Sequence, residues 1–410
     1  MWKIIKENHF ELGIILANIG TQVSVITKEF LPNSSFNLTY LMFFLSLLLL
    51  FNYEVLLNHS IIKPSRIMMA VLIYNLYVML NGLINEASIT GGNDALIYTA
   101  YVILMWICVS TNTKRINTIF FIGAMWHITA LYSCLLFYIL TDNFRNLYGI
   151  SFTFLPSGAD RITLSVIGFM HLCAALTYDT KNIFQKTLKY FFAFIAFYDL
   201  MICSRRGLLV ALILIIIYQF YLSYGKRTTS TKMLSFLIAT TGIVVIFIIS
   251  IFFYPDILLK INEYFQRLLI GLNTYLGNFS GGVDAAAVAR NTVMNTVPVE
   301  YLNSSLTTVV FGNGYGYKQL DIPYLQAFTD LGLSGGIYYF FIQCLYPVRT
   351  ILKKSANKSV ILIKYIGIMT ITYNLYSGVP YNHYKFVGLI ILIYAVKQEE
   401  RSKINQIYYD

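Results

Sequence analysis

Charge is scarce in this sequence. Only 12% of the 410 residues are charged, against about a quarter in ordinary soluble domains. The two or three soluble domains that length alone suggests would lack a water-facing surface, and they are excluded. Cysteine is sparse too. Cys108, Cys134, Cys173, Cys203 and Cys344 fall inside or at the edge of apolar blocks, with no CxxC spacing and no clustered histidines. They read as small apolar side chains in helix packing and give no basis for structural disulfides or zinc. Acids are outnumbered, 19 against 30 basic residues, and no cluster of Asp and Asn has metal-ligand character, so neither a metal nor a cofactor is expected. Alternating segments of about ten residues are missing, which excludes a membrane β-barrel.

What is abundant is apolar, 57% of the chain. It comes in blocks of about twenty residues, the length a helix needs to cross a bilayer. A helix satisfies its own backbone hydrogen bonds, which lipid cannot do for it. The expected fold is therefore an all-α polytopic membrane protein of about 12 transmembrane helices. Spans are read near 9–27, 37–57, 66–85, 93–111, 115–140, 161–178, 187–203, 206–224, 233–254, 324–350, 359–379 and 384–397. Three parts follow. Residues 1–254 hold nine spans and an outer arginine turn at 204–207; 255–323 form one long outer loop; 324–410 hold three more spans and a cytoplasmic tail. Lys3 and Lys6 before an apolar run resemble a signal peptide, but no convincing cleavage site follows, so an uncleaved first helix is expected.

Orientation follows from lysine and arginine. With the N-terminus in the cytoplasm, the inner segments take Lys63 and Arg66, Lys114 and Arg115, Lys181 and Lys186, Lys226 and Arg227, Arg349 to Lys358, and Lys397 to Lys403. Both termini are then cytoplasmic. The net charge of +11 thus reports topology rather than nucleic-acid binding. In the long loop, Leu302, Leu306 and Val309 stand at helical spacing, as do Ile261, Phe265, Leu268 and Leu269, so short amphipathic helices are expected there.

Charges at membrane depth or at its outer edge are costly and therefore informative. Arg205 and Arg206, in Ser204-Arg205-Arg206-Gly207, run against the inside-positive bias; they either snorkel to lipid phosphate or bind an anion, for which guanidinium geometry is suited. Arg161 follows Asp160 and either pairs with it, snorkels, or joins that anion site. Arg290 sits on a small-residue stretch of the long loop. Asp199 is placed to partner Arg205. Glu11 and Glu54 read as interfacial, and His127 and His171 as hydrogen-bonded packing residues. Downstream, Phe311-Gly312-Asn313-Gly314-Tyr315-Gly316-Tyr317 neither follows a strand nor opens a soluble helix, so a nucleotide loop is rejected. Glycines so spaced permit a tight loop whose amides face an anion or a sugar.

These pieces, with Asp321 to Leu325 and Leu331-Gly332-Leu333-Ser334-Gly335, resemble the O-antigen polymerase and ligase superfamily over roughly residues 158 to 345. The resemblance implies a glycosyltransferase of GT-C-like architecture, inverting and metal-independent, in a bacterial cytoplasmic membrane. Its substrates would be undecaprenyl-pyrophosphate-linked oligosaccharide repeat units, joined on the outer face, with a separate membrane protein regulating chain length. Pyrophosphate binding would fall to Arg161, Arg205, Arg206 and Arg290, since fixed cations stabilise charge on a departing pyrophosphate. Arg205, Arg290 and Asp321 would be catalytic, Asp321 as the base, with Asp330, Asp284 and Glu300 in reserve. Gly312, Gly314, Tyr315, Gly316 and Tyr324 would contact sugar, and Tyr317 is a further stacking candidate. Ligases of the superfamily tend to carry a histidine where this chain has Asp321, which favours polymerase. A ligase, or a transporter of the same lipid-linked glycans, remains the alternative.

Overall fold

The computed structural model describes residues 6–30, 38–52, 64–84, 92–112, 114–144, 158–203, 206–223, 266, 269–270, 273–274, 285–317, 320–376, 378 and 380–409. Every regular element among them is helical. They are α1 (His9–Phe30), α2 (Leu38–Leu50), α3 (Arg66–Ile84), α4 (Gly92–Ser110), α5 (Thr118–Phe144), α6 (Gly158–Thr177), α7 (Ile183–Ile202) and α8 (Arg206–Ser223). Then come α9 (Ala285–Leu302), α10 (Leu306–Phe311), α11 (Pro323–Phe340), a π-helical turn (Phe341–Leu345), α12 (Tyr346–Leu352), α13 (Lys358–Tyr376) and α14 (His383–Tyr409).

Eleven of the expected spans overlap helices, that at 37–57 only over Leu38–Leu50; the span at 233–254 lies outside the described residues. Four stretches are long and apolar enough to cross a membrane: His9–Thr27, Arg66–Leu83, Thr118–Tyr138 and the composite Pro323–Leu352. The exposed residues point the same way. On α3, Met69, Ile73, Leu76, Leu80 and Leu83 are exposed along one face, as are Ile97, Leu104 and Ile107 on α4. Such stripes are a liability in water and natural against lipid. Some polar residues within the helices satisfy themselves locally. Asn18 and Asn75 each donate to the carbonyl one turn back, at 2.8 Å, as hydrocarbon surroundings require.

The chain divides into two compact units, residues 1–211 with 304–410, and residues 212–303. In the first, α14 is apolar on every face from Phe386 to Val396 and buried on all of them; it packs against α13, α4 and α1. It also runs on as a charged helix well past 397, where the sequence expectation ended its span. Glu11, expected near a membrane interface, is packed inside the protein. Its carboxylate accepts from the Asn117 backbone N–H at 2.7 Å, satisfying an orphan donor at the start of α5. Glu54 lies outside the described residues. The π-helical turn is held by a buried amide network: Asn374 donates to the Gln343 carbonyl at 3.2 Å and side chain at 3.0 Å, and accepts from the Tyr339 hydroxyl at 3.1 Å.

In the second unit, α9 carries Pro298 in its interior and buries Ala287, Val297 and Tyr301. The expected apolar stripe Leu302, Leu306, Val309 is not one helix. Leu302 ends α9, while Ser305 caps α10 by accepting from the Thr308 N–H. Of the other loop stripe, Ile261, Phe265 and Leu268 lie outside the described residues, and Leu269 is exposed.

A glycine loop seated on a broken helix

The candidate site is built where α10 ends and α11 unwinds. Inside α11, Gly332 adopts φ 74°, ψ −177°, a conformation essentially confined to glycine. Gly312, just after α10, also has positive φ, at 83°. The two backbones meet. A Cβ on Gly312 would stand 2.2 Å from the Asp330 carbonyl oxygen, and one on Gly332 would stand 2.1 Å from that of Val310. Absence of a side chain at both positions is what allows this approach. Beyond the break, a Cβ on Gly336 would meet the Phe328 ring at 2.2 Å, so the two halves of α11 also fold closely past one another.

The loop's amides are taken up by the protein itself. Gly312 N–H donates to Thr308 O at 2.8 Å, Asn313 N–H to Thr329 O at 2.8 Å, and Gly314 N–H to Asp330 O at 3.1 Å. Tyr315 N–H donates to Asn81 Oδ1 at 2.6 Å and Gly316 N–H to Asp330 Oδ2 at 3.0 Å, while Tyr317 N–H closes a turn on Gly314 O at 3.2 Å. The expectation that these amides face an anion or a sugar is therefore corrected. Unwinding α11 frees the carbonyls of Thr329 and Asp330, and the loop supplies the donors that buried carbonyls need.

Asp330 is the hub. It is 0% exposed, and its Oδ2 accepts from Gly316 N–H, from Gln326 Nε2 at 3.3 Å and from the Tyr381 hydroxyl at 3.2 Å. Its Oδ1 has no partner among the described residues. Gln326 extends the network by accepting from the Leu320 N–H at 3.4 Å, and the Tyr77 hydroxyl reaches Leu331 O at 3.3 Å. The Tyr315 ring is 3% exposed and lies 4.4 Å from the Tyr381 ring, centroid to centroid. Burial, chiefly, raises the ionisation of both phenols above its usual range, so Tyr381 stays a donor. Tyr381→Phe removes that one hydrogen bond and keeps the ring contact; a loss of about 1 kcal/mol in unfolding stability is expected, read by denaturation in detergent.

Asp321 stands at the entrance to α11 with a left-handed backbone, φ 55°, a conformation that Asp tolerates better than most residues. Its Oδ1 accepts from the Gly378 N–H at 2.9 Å, which ties it to the turn before α14. Lys385 is fully buried near the start of α14.

The sequence-derived site residues thus fall into three groups. Gly312, Gly314, Tyr315, Gly316 and Asp321 converge on the turns around α11, and Tyr324 lies half-buried in its first turn. In that group the Tyr315 ring is packed inside, whereas Tyr317 is 62% exposed. Arg205 lies outside the described residues, as does Asp284; Arg206 opens α8 and Arg161 lies in the first turn of α6, their side chains outside what is described. Arg290, half-buried, and Glu300, exposed, belong to α9 in the second unit. Asp199 is buried in α7 and accepts from the Ser133 hydroxyl of α5. His171 meets the Thr129 hydroxyl at 3.0 Å and His127 the Gly123 carbonyl at 2.6 Å. Asn81, Tyr381 and Lys385 were not anticipated; only Gln326 and Asp330, four residues apart on one helix face in an apolar span, left a legible trace.

Compared with known proteins, the chain matches no family model, no curated protein and no solved structure.

Proposed function

We propose that this chain is a polysaccharide polymerase of the bacterial cytoplasmic membrane, with about 12 spans and both termini cytoplasmic. It joins undecaprenyl-pyrophosphate-linked oligosaccharides on the outer face of that membrane. The observation that carries the reading is the convergence at α11. Three pieces of the resemblance, Gly312 to Gly316, Asp321, and Leu331 to Gly335, meet around one interrupted helix. In this scheme the hydroxyl of the incoming unit loses its proton to Asp321. Its oxygen then bonds to the anomeric carbon as the undecaprenyl pyrophosphate departs. Arg205 and Arg290 stabilise the charge on that leaving group, helped by Arg161 and Arg206, and no metal is required. Tyr317 and Tyr324 supply aromatic surface for sugar, and a membrane partner sets chain length.

The test is direct. Purified full-length protein given undecaprenyl-pyrophosphate-linked repeat units should yield polymers, with the yield unchanged by a chelator. A second reading, a carrier of the same lipid-linked glycans, is favoured by the helix interruption beside a buried carboxylate, an arrangement that transporters use. It requires translocation in proteoliposomes with no change in glycan length.

A further inference from the structure

At the end of the first unit where lysine and arginine gather lies a small, partly open cleft. Its walls are the start of α3 (Pro64, Ser65, Met68), the end of α4 (Ser110, Asn112) and one face of α14 (Ile393, Tyr394, Lys397, Arg401). Lys397 and Arg401 stand one turn apart on the same helix face. Like charges so placed repel, and no anion among the described residues pairs with either. The nearby Glu400 pairs with Lys353 at 2.7 Å.

Two buried polar groups in the lining are also unmatched among the described residues. Asn112 is 2% exposed; its Oδ1 accepts from the Lys114 N–H at 2.8 Å, which fixes the amide and leaves its Nδ2 without an acceptor. The Ser65 hydroxyl is buried and likewise unpartnered. A donor amide, a hydroxyl and two half-buried cations around one cleft lack the same thing, an anion with several acceptor oxygens. Pro64, Met68 and Ile393 add an apolar wall beside them.

We propose that this cleft binds the phosphate of an anionic phospholipid headgroup. Lys397, Arg401, Asn112 and Ser65 hold the phosphate, and the apolar wall lies along the acyl chains. Basic pockets between membrane helices on the cytoplasmic side are suited to such headgroups. The site is independent of the glycan chemistry and stands or falls without it.

Native mass spectrometry of the full-length protein tests this, after reconstitution into phosphatidylcholine nanodiscs with and without phosphatidylglycerol. Wild type should keep one phosphatidylglycerol through detergent exchange. Lys397→Gln with Arg401→Gln should hold it roughly thirtyfold more weakly, the loss expected when two basic contacts to an anionic headgroup are removed. Asn112→Asp places a carboxylate beside the same cations and should also expel the lipid, while thermal unfolding shows the protein still folded. Equal retention by all three proteins would overturn the proposal. Millimolar inorganic phosphate should fail to compete; if it displaces the lipid and remains bound alone, the site belongs to a free phosphate, and the lipid assignment is wrong.

Discussion

Gly332→Ala is expected to cost more than about 3 kcal/mol and to leave little folded protein in the membrane. Two effects add. The backbone at this position lies in a region that side-chain-bearing residues almost never occupy. The new Cβ would also stand 2.1 Å from the Val310 carbonyl oxygen, with backbone rather than a flexible side chain in the way. Either the helix break or the loop must move, and moving either one strips the Thr329 and Asp330 carbonyls of their donors. Gly123→Ala is the control. Nothing lies within 4 Å of its Cβ position, so alanine in that helix interior should be neutral or stabilising by up to about 1 kcal/mol. Comparing membrane yield and thermal unfolding of the two variants decides the matter; a Gly332→Ala protein as stable as wild type would show that the break is not required.

Asp330→Ala should be nearly as damaging, for a different reason. Its carboxylate oxygen accepts from Gly316, Gln326 and Tyr381, and truncation strands three buried donors, each at about 1–3 kcal/mol. Asp330→Asn retains an acceptor oxygen at that point and should recover most of the loss. Unfolding midpoints in detergent, with limited proteolysis across 312–317, read both effects. Equal damage from Ala and Asn would mean that the negative charge matters in itself, beyond holding the loop.

The helices were legible because hydrocarbon thickness imposes a length on every apolar block, and α3, α5 and α11 carry that length openly. The end of α14 was not, because its last turns are polar and hydropathy falls while the helix continues. At the site, Gly312 to Gly316 and Asp321 could be selected by spacing, but spacing does not say which way amides point. The donors turned out to face the freed carbonyls of α11, since the break at Gly332 has no signature beyond one glycine among several. Asn81 and Tyr381 were illegible for a simpler reason. Asn81 is 234 residues from the amide it accepts and Tyr381 is 51 residues from Asp330, and nothing local marks either. Of the charged residues of highest chemical interest, Arg205 stands out by its opposition to the inside-positive bias, whereas Arg290, on a small-residue stretch of the long loop, is singled out by the resemblance.

The deciding experiment is surface-glycan length on a gel. A strain lacking this gene is complemented with wild type, Arg205→Ala or Arg290→Ala at matched protein levels. The account predicts a full ladder from wild type, and single repeat units attached to the surface in both variants, with activity down by about 100-fold or more for a lost charge-stabilising donor. Loss of all surface glycan in the deletion strain, single units included, would contradict the polymerase reading and point to a carrier or a ligase. A full ladder from both variants would contradict the arginine site.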